Sequence, residues 1–185
     1  MSCQRNSTKM EAFTTLTLRL PSDLSCTLKD CLDFFGARED LTTREFANCI
    51  HCTSKTVNKR NIEVHSWRKV LILHLSRFEA RSNERGEYVE SDRKDTLVSF
   101  PLTELNVGSL SNPILYDCVA ICNHFGTRHG GHYTAHAIRG DTWFHFNDDK
   151  KPEVVQSPQD RIGEANKNAY MLFYVRRAPI LTASV

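Results

Sequence analysis

Residues 130–149 (GGHYTAHAIRGDTWFHFNDD) leave the chain fewer choices of fold than any other stretch, because two aliphatic and aromatic runs flank Arg139-Gly140-Asp141-Thr142. Such runs on either side of a Gly-containing turn signal predict a β-hairpin. The glycines Gly130 and Gly131 before His132 permit a close backbone approach at its start. If Gly140-Asp141 is a two-residue turn, pairing Arg139 with Thr142 sets Thr134 opposite Asn147. His132 and Asn147 then share a face as diagonal neighbours, roughly 7–8 Å apart at the backbone and within side-chain reach. A turn one residue longer or shorter brings Asp148 to that face instead, so parity alone leaves Asn147 and Asp148 as alternatives.

The rest of the chain reads as α+β with an antiparallel, strand-dominated second half. Val70-Leu71-Ile72-Leu73 is a short apolar run of the kind expected of a strand buried on both faces, central to a sheet. Further strands are predicted over residues 13–20, 116–123, 132–138, 143–146 and 169–175. Residues 25–35 carry Leu28, Cys31, Leu32 and Phe35 at helical spacing, with Ser25 as N-cap and Gly36 just past the end. Residues 81–95 are polar and densely charged and read as a solvated loop or edge ribbon, and residues 178–185 as a short tail.

An apolar content of 40% in 185 residues suffices for one packed core. Twenty-four basic against 22 acidic residues leave a net charge of +2, too small to argue for nucleic acid or a membrane surface as partner. No segment approaches the roughly 18 apolar residues of a membrane span. Seven cysteines without a secretory leader favour reduced thiols and an intracellular setting, cytoplasmic or nuclear.

An imidazole beside a carboxamide suits a cysteine protease, in which the amide oxygen fixes one ring nitrogen so that the other can deprotonate a thiol. Cys49-Ile50-His51-Cys52 adds a Cys-x-x-Cys, whose two thiolates can take adjacent corners of a tetrahedral zinc site.

Five pieces in order, Tyr116-Asp117-Cys118-Val119-Ala120, Asn123-His124-Phe125-Gly126, Gly130-Gly131-His132-Tyr133-Thr134-Ala135, Phe146-Asn147-Asp148 and Ala169-Tyr170-Met171-Leu172-Phe173-Tyr174, resemble the histidine box of ubiquitin-specific proteases. The likeness continues upstream through residues 70–78 and 98–102 and covers residues 1–177. It implies a papain-like cysteine-protease fold with a strand-dominated palm, mainly 63–177, and partial fingers near 1–20 and 41–62. By resemblance His132 is the general base, Asn147 the third triad member and Asp148 an assisting acid. Gly130, Gly131, Tyr133, Phe78 and His129 take positions near the channel for the tail of ubiquitin, the implied partner. Cys3, in a segment like that following the second cysteine of the family's first Cys-x-x-Cys, joins Cys49 and Cys52 as three of four ligands of a structural zinc site.

The family's nucleophile sits in an Asn-x-Gly-Asn-Thr-Cys-type motif, and no such motif occurs in these residues. Cys26, Cys31, Cys118 and Cys122 read as structural thiols, the last two sharing one strand face. The resemblance therefore implies a deubiquitinase whose cysteine-bearing part is missing from this chain. A module that binds ubiquitin without cleaving it is the second reading.

Overall fold

Leu71, Leu73 and Leu75 alternate with Ile72, His74 and Ser76 along one strand, and only the leucines are fully buried. That period of two sets the architecture, a twisted sheet with one face on the core. The computed structural model describes residues 8–22, 24–40, 47–48, 55–56, 59–78, 80–82, 88–90, 93–163 and 166–178. Its elements in chain order are β1 (Thr15–Arg19), β2 (Ser25–Thr27), α1 (Leu28–Gly36), β3 (Glu39–Asp40), β4 (Ala47–Asn48), β5 (Lys55–Thr56), β6 (Lys59–Arg60), β7 (Val70–Ser76), β8 (Ala80–Ser82) and β9 (Tyr88–Glu90). There follow β10 (Leu97–Ser99), β11 (Leu105–Asn106), β12 (Leu115–Thr127), β13 (Gly130–Arg139), β14 (Thr142–Phe146), β15 (Glu153–Val154) and β16 (Ala169–Arg176).

The main sheet runs β1-β7-β16-β12-β13-β14-β15, with β11 paired to β12. All its ladders are antiparallel except β1 with β7. Residues 15–19, read from sequence with the fingers, are thus the parallel edge of this sheet. The strand at 70–73 is interior as expected, with β1 and β16 on either side. Its second face is only half-buried, and Val70 is exposed, so burial on both faces is not what the fold gives it.

The helix starts later than Ser25 implies. Residues 25–27 are extended and pair in parallel with β10, and Thr27 is the N-cap. The Thr27 hydroxyl accepts from the Asp30 N–H at 3.1 Å while the Asp30 carboxylate accepts from the Thr27 N–H at 2.8 Å. This reciprocal pair satisfies two amide donors that helix geometry leaves open. Ser25 lacks the acidic residue three positions on that completes it. Leu28 and Cys31 then pack into the core formed by Leu18, Leu73, Leu75, Val98, Phe100, Ile121 and Leu172.

Candidate active site

The hairpin closes with the two-residue turn: Arg139 pairs with Thr142, and the ladder runs on to Ala135 opposite Phe146. The next pair in that register is Thr134 with Asn147, so the Asn147 face is the one His132 shares. His132 Nε2 and Asn147 Oδ1 are 2.7 Å apart. A carboxamide oxygen only accepts, so Nε2 carries the hydrogen and Nδ1 keeps a free lone pair. Asp148 follows in a left-handed conformation, φ 50°, which acidic side chains tolerate better than most. Its carboxylate comes to 3.8 Å from Nδ1, beyond hydrogen-bond range. Asn147 and Asp148 are therefore not competitors for one position; each addresses a different ring nitrogen.

The two glycines before His132 differ. A Cβ on Gly131 would sit 2.3 Å from the Phe125 carbonyl oxygen and 2.4 Å from Nε2 of His124, whereas one on Gly130 meets nothing within 4 Å. Only Gly131 is required by close approach. Gly126, with φ 122°, is also required at this end of the hairpin, because a Cβ there would collide with the backbone of residues 130 and 131.

The ring pressed on Gly131 belongs to His124, which is buried with its Nδ1 unpartnered. Burial, reinforced by the charge of Arg93, holds its pKa below the ordinary histidine range. His124 stacks on Tyr133 with centroids 4.6 Å apart and meets Phe78 and Tyr170 at 5.6 Å each. Pairing of His124 with Tyr133 and of Phe125 with His132 puts this aromatic wall and His132 on opposite faces of the strand. Phe78 and Tyr133 are thus brought together, with the Arg128 guanidinium 5.8 Å over Phe78. His129 lies outside the wall, exposed in the two-residue turn between β12 and β13. The proposed zinc ligands Cys3, Cys49 and Cys52 lie outside the described residues.

Sequence reasoning assigned no role to His124, Tyr170 or Arg77. Arg77 is wholly buried. Its Nε donates to the Ala169 carbonyl at 2.7 Å, Nη1 to those of Lys94 and Thr96 at 3.0 and 2.9 Å, and Nη2 to that of Asn166 at 3.0 Å. Burial lowers its pKa to about 10, so it stays charged at neutral pH. One guanidinium thereby ties Phe78 to the starts of β10 and β16. The available signal was a charged residue directly after an apolar strand, which also describes an ordinary solvated arginine.

Two residues beyond Thr134 on the same face, His136 and His145 pair across β13 and β14 with ring centroids 4.9 Å apart. They line a cavity of about 410 Å³ with Glu153 and Gln156. His136 accepts from the Asn123 amide at 3.0 Å, and burial first, then His145, lower its pKa to about 4. Among the described residues, no group of three His, Cys, Asp or Glu side chains is arranged to hold a metal ion.

No described cysteine faces His132 as a nucleophile. The strand pair β12–β16 skips Val119 between Cys118 and Ala120, and this bulge flips the side-chain alternation. Cys118 and Cys122 consequently point to opposite faces, not to one. Cys118 is buried on the core face with its thiol pushed up to about 12, and Cys122, paired with Ala135, lies on the face opposite His132. Cys118 and Cys31 are the buried structural thiols expected, while Cys26 and Cys122 are half-buried.

Residues 3–174 match the family model described as ubiquitin carboxyl-terminal hydrolase. The chain is 33% identical over 196 residues to mouse ubiquitin carboxyl-terminal hydrolase 3, covering 95% of this chain and 36% of that protein. It is 33% identical over 157 residues to human ubiquitin carboxyl-terminal hydrolase 15, covering 81% and 15% respectively. A solved SAGA DUB module of Ubp8, Sgf11, Sus1 and Sgf73 bound to monoubiquitin contains a chain that superposes with TM-score 0.73 at 31% identity, over 95% of this chain and 38% of that one. The chain thus spans about a third or less of the length of these relatives.

Proposed function

The chain belongs to the ubiquitin carboxyl-terminal hydrolase family and has its papain-like, sheet-dominated fold, and we propose that it supplies the base half of a thiol-dependent deubiquitinase site. The carrying observation is the 2.7 Å contact of His132 Nε2 with Asn147 Oδ1, which leaves Nδ1 as the proton acceptor. In this reading Nδ1 takes the proton of a cysteine thiol, and the thiolate attacks the carbonyl at the carboxy terminus of ubiquitin. The imidazolium then returns the proton to the leaving amine. Asn147 keeps the ring in the one tautomer that can do this.

The thiolate comes, in this proposal, from a part of the protease domain that these 185 residues do not include. Support lies in the missing cysteine motif and in the orientation and burial of the described thiols. The chain alone is then inactive toward a ubiquitin probe bearing a carboxy-terminal electrophile. Adding a cysteine-bearing amino-terminal segment of a relative's domain is expected to restore the adduct, and Asn147→Ala to slow its formation by about 10- to 100-fold. Adduct formation by the chain alone, lost on changing one of its seven cysteines, would refute this assignment. Metal analysis of the chain and of Cys49→Ser tests the proposed structural zinc.

A further inference from the structure

The sulfurs of Cys26 and Cys31 lie 3.6 Å apart, in direct contact, and take no part in the hydrolysis proposed above. The contact is built by the fold. Cys26 is fixed in β2 by its pairing with Val98, Cys31 by the first turns of α1, and the Thr27–Asp30 capping box sets the bend between them. Neither of the other described thiols has a sulfur neighbour: the Cys118 thiol donates to the Ala120 carbonyl and that of Cys122 to the Asn123 carbonyl.

We propose that Cys26 and Cys31 form a reversible oxidation site, in which a peroxide converts the two thiols to a disulfide that ties β2 to α1. Cys26 is half-buried and Cys31 fully buried, which assigns the order of steps. The Cys26 thiolate attacks the peroxide O–O bond, giving a sulfenic acid and releasing water from a hydrogen peroxide molecule. The Cys31 sulfur then displaces hydroxide from the sulfenic sulfur, forming the S–S bond and a second water. Two thiols are oxidised and one peroxide is reduced. Forming the bond of roughly 2.05 Å requires the two sulfurs, now 3.6 Å apart, to approach by about 1.5 Å. Burial pushes both thiols above their ordinary range, so the thiolate that reacts is scarce at neutral pH. Oxidation is accordingly slow there and accelerates about tenfold per pH unit below the thiol pKa.

Lys29 lies between the two cysteines, so tryptic cleavage separates them and makes the link readable. The full chain is treated with hydrogen peroxide, blocked by alkylation and digested. The expected result is a pair of peptides, residues 20–29 and 30–38, joined by a bond that dithiothreitol removes, with the intact mass lower by two hydrogens. Cys31→Ser should leave Cys26 as a sulfenic acid that a dimedone probe captures, and Cys26→Ser should abolish the link with the fold, checked by circular dichroism, intact. Cys26 advancing to sulfinic acid without the link would overturn the proposal. So would links dominated by other cysteine pairs.

Discussion

Gly130 and Gly131 are neighbours in one strand, and the structure requires that they respond oppositely to alanine. At Gly131 the new Cβ would lie 2.3 Å from the Phe125 carbonyl oxygen and 2.4 Å from the His124 ring, about 1 Å inside an ordinary contact. The carbonyl belongs to the paired strand and cannot swing aside, so β12 and β13 must separate locally or the His124 ring must leave Tyr133. Overpacking of this kind costs about 1–3 kcal/mol and loss of the aromatic stack about 0.5–1.5 kcal/mol, for a total near 3 kcal/mol. At Gly130 the Cβ meets nothing within 4 Å, and its φ lies outside the left-handed range. Gly130→Ala therefore gains up to about 1 kcal/mol by restricting the unfolded chain. Urea unfolding of both variants, followed by the fluorescence of Trp67 and Trp143, measures the difference directly, since these are the chain's two tryptophans. A separation below about 1 kcal/mol between the variants would refute the packing argument. Gly131→Ala should also displace His132 from Asn147, visible as loss of the single-tautomer imidazole signal by nitrogen NMR.

Asn147→Ala removes the acceptor at Nε2, and the His132 ring should then populate both neutral tautomers while the global fold keeps its stability to within about 1 kcal/mol. Arg77→Met leaves four carbonyl acceptors, two buried and two part-buried, without their donor and should cost about 3–5 kcal/mol in denaturant unfolding. A loss below about 1 kcal/mol would show that water replaces the guanidinium there. For His136 the sign is fixed by its lowered pKa: the fold binds the neutral ring, so its contribution is complete above the unfolded value near 6.5 and is lost as pH falls toward about 4. Because the ring is partly solvated, about 1–2 kcal/mol is expected, seen as a weaker slope of stability against pH between those limits in His136→Phe.

Much of the site was legible because it is local. The hairpin register follows from a two-residue turn and a period of two, and those alone put His132 and Asn147 on one face. The separate position of Asp148 was not legible, since it depends on a left-handed residue past the end of the ladder, where alternation stops applying. The helix was legible over its apolar stripe, but its start was decided by β10, which holds residues 25–27 extended. Alternation also misplaced Cys122, because a bulge arises from how two strands distant in the chain fit together and leaves no mark in either taken singly. The role of Arg77 is the extreme case: its four acceptors are backbone carbonyls lying 17, 19, 89 and 92 residues away. Backbone carbonyls carry no residue identity, so the sequence by itself determined the strands, the hairpin and the pairing of His132 with Asn147. Only tertiary structure decided which glycine is indispensable, which way each thiol faces and what the buried guanidinium holds.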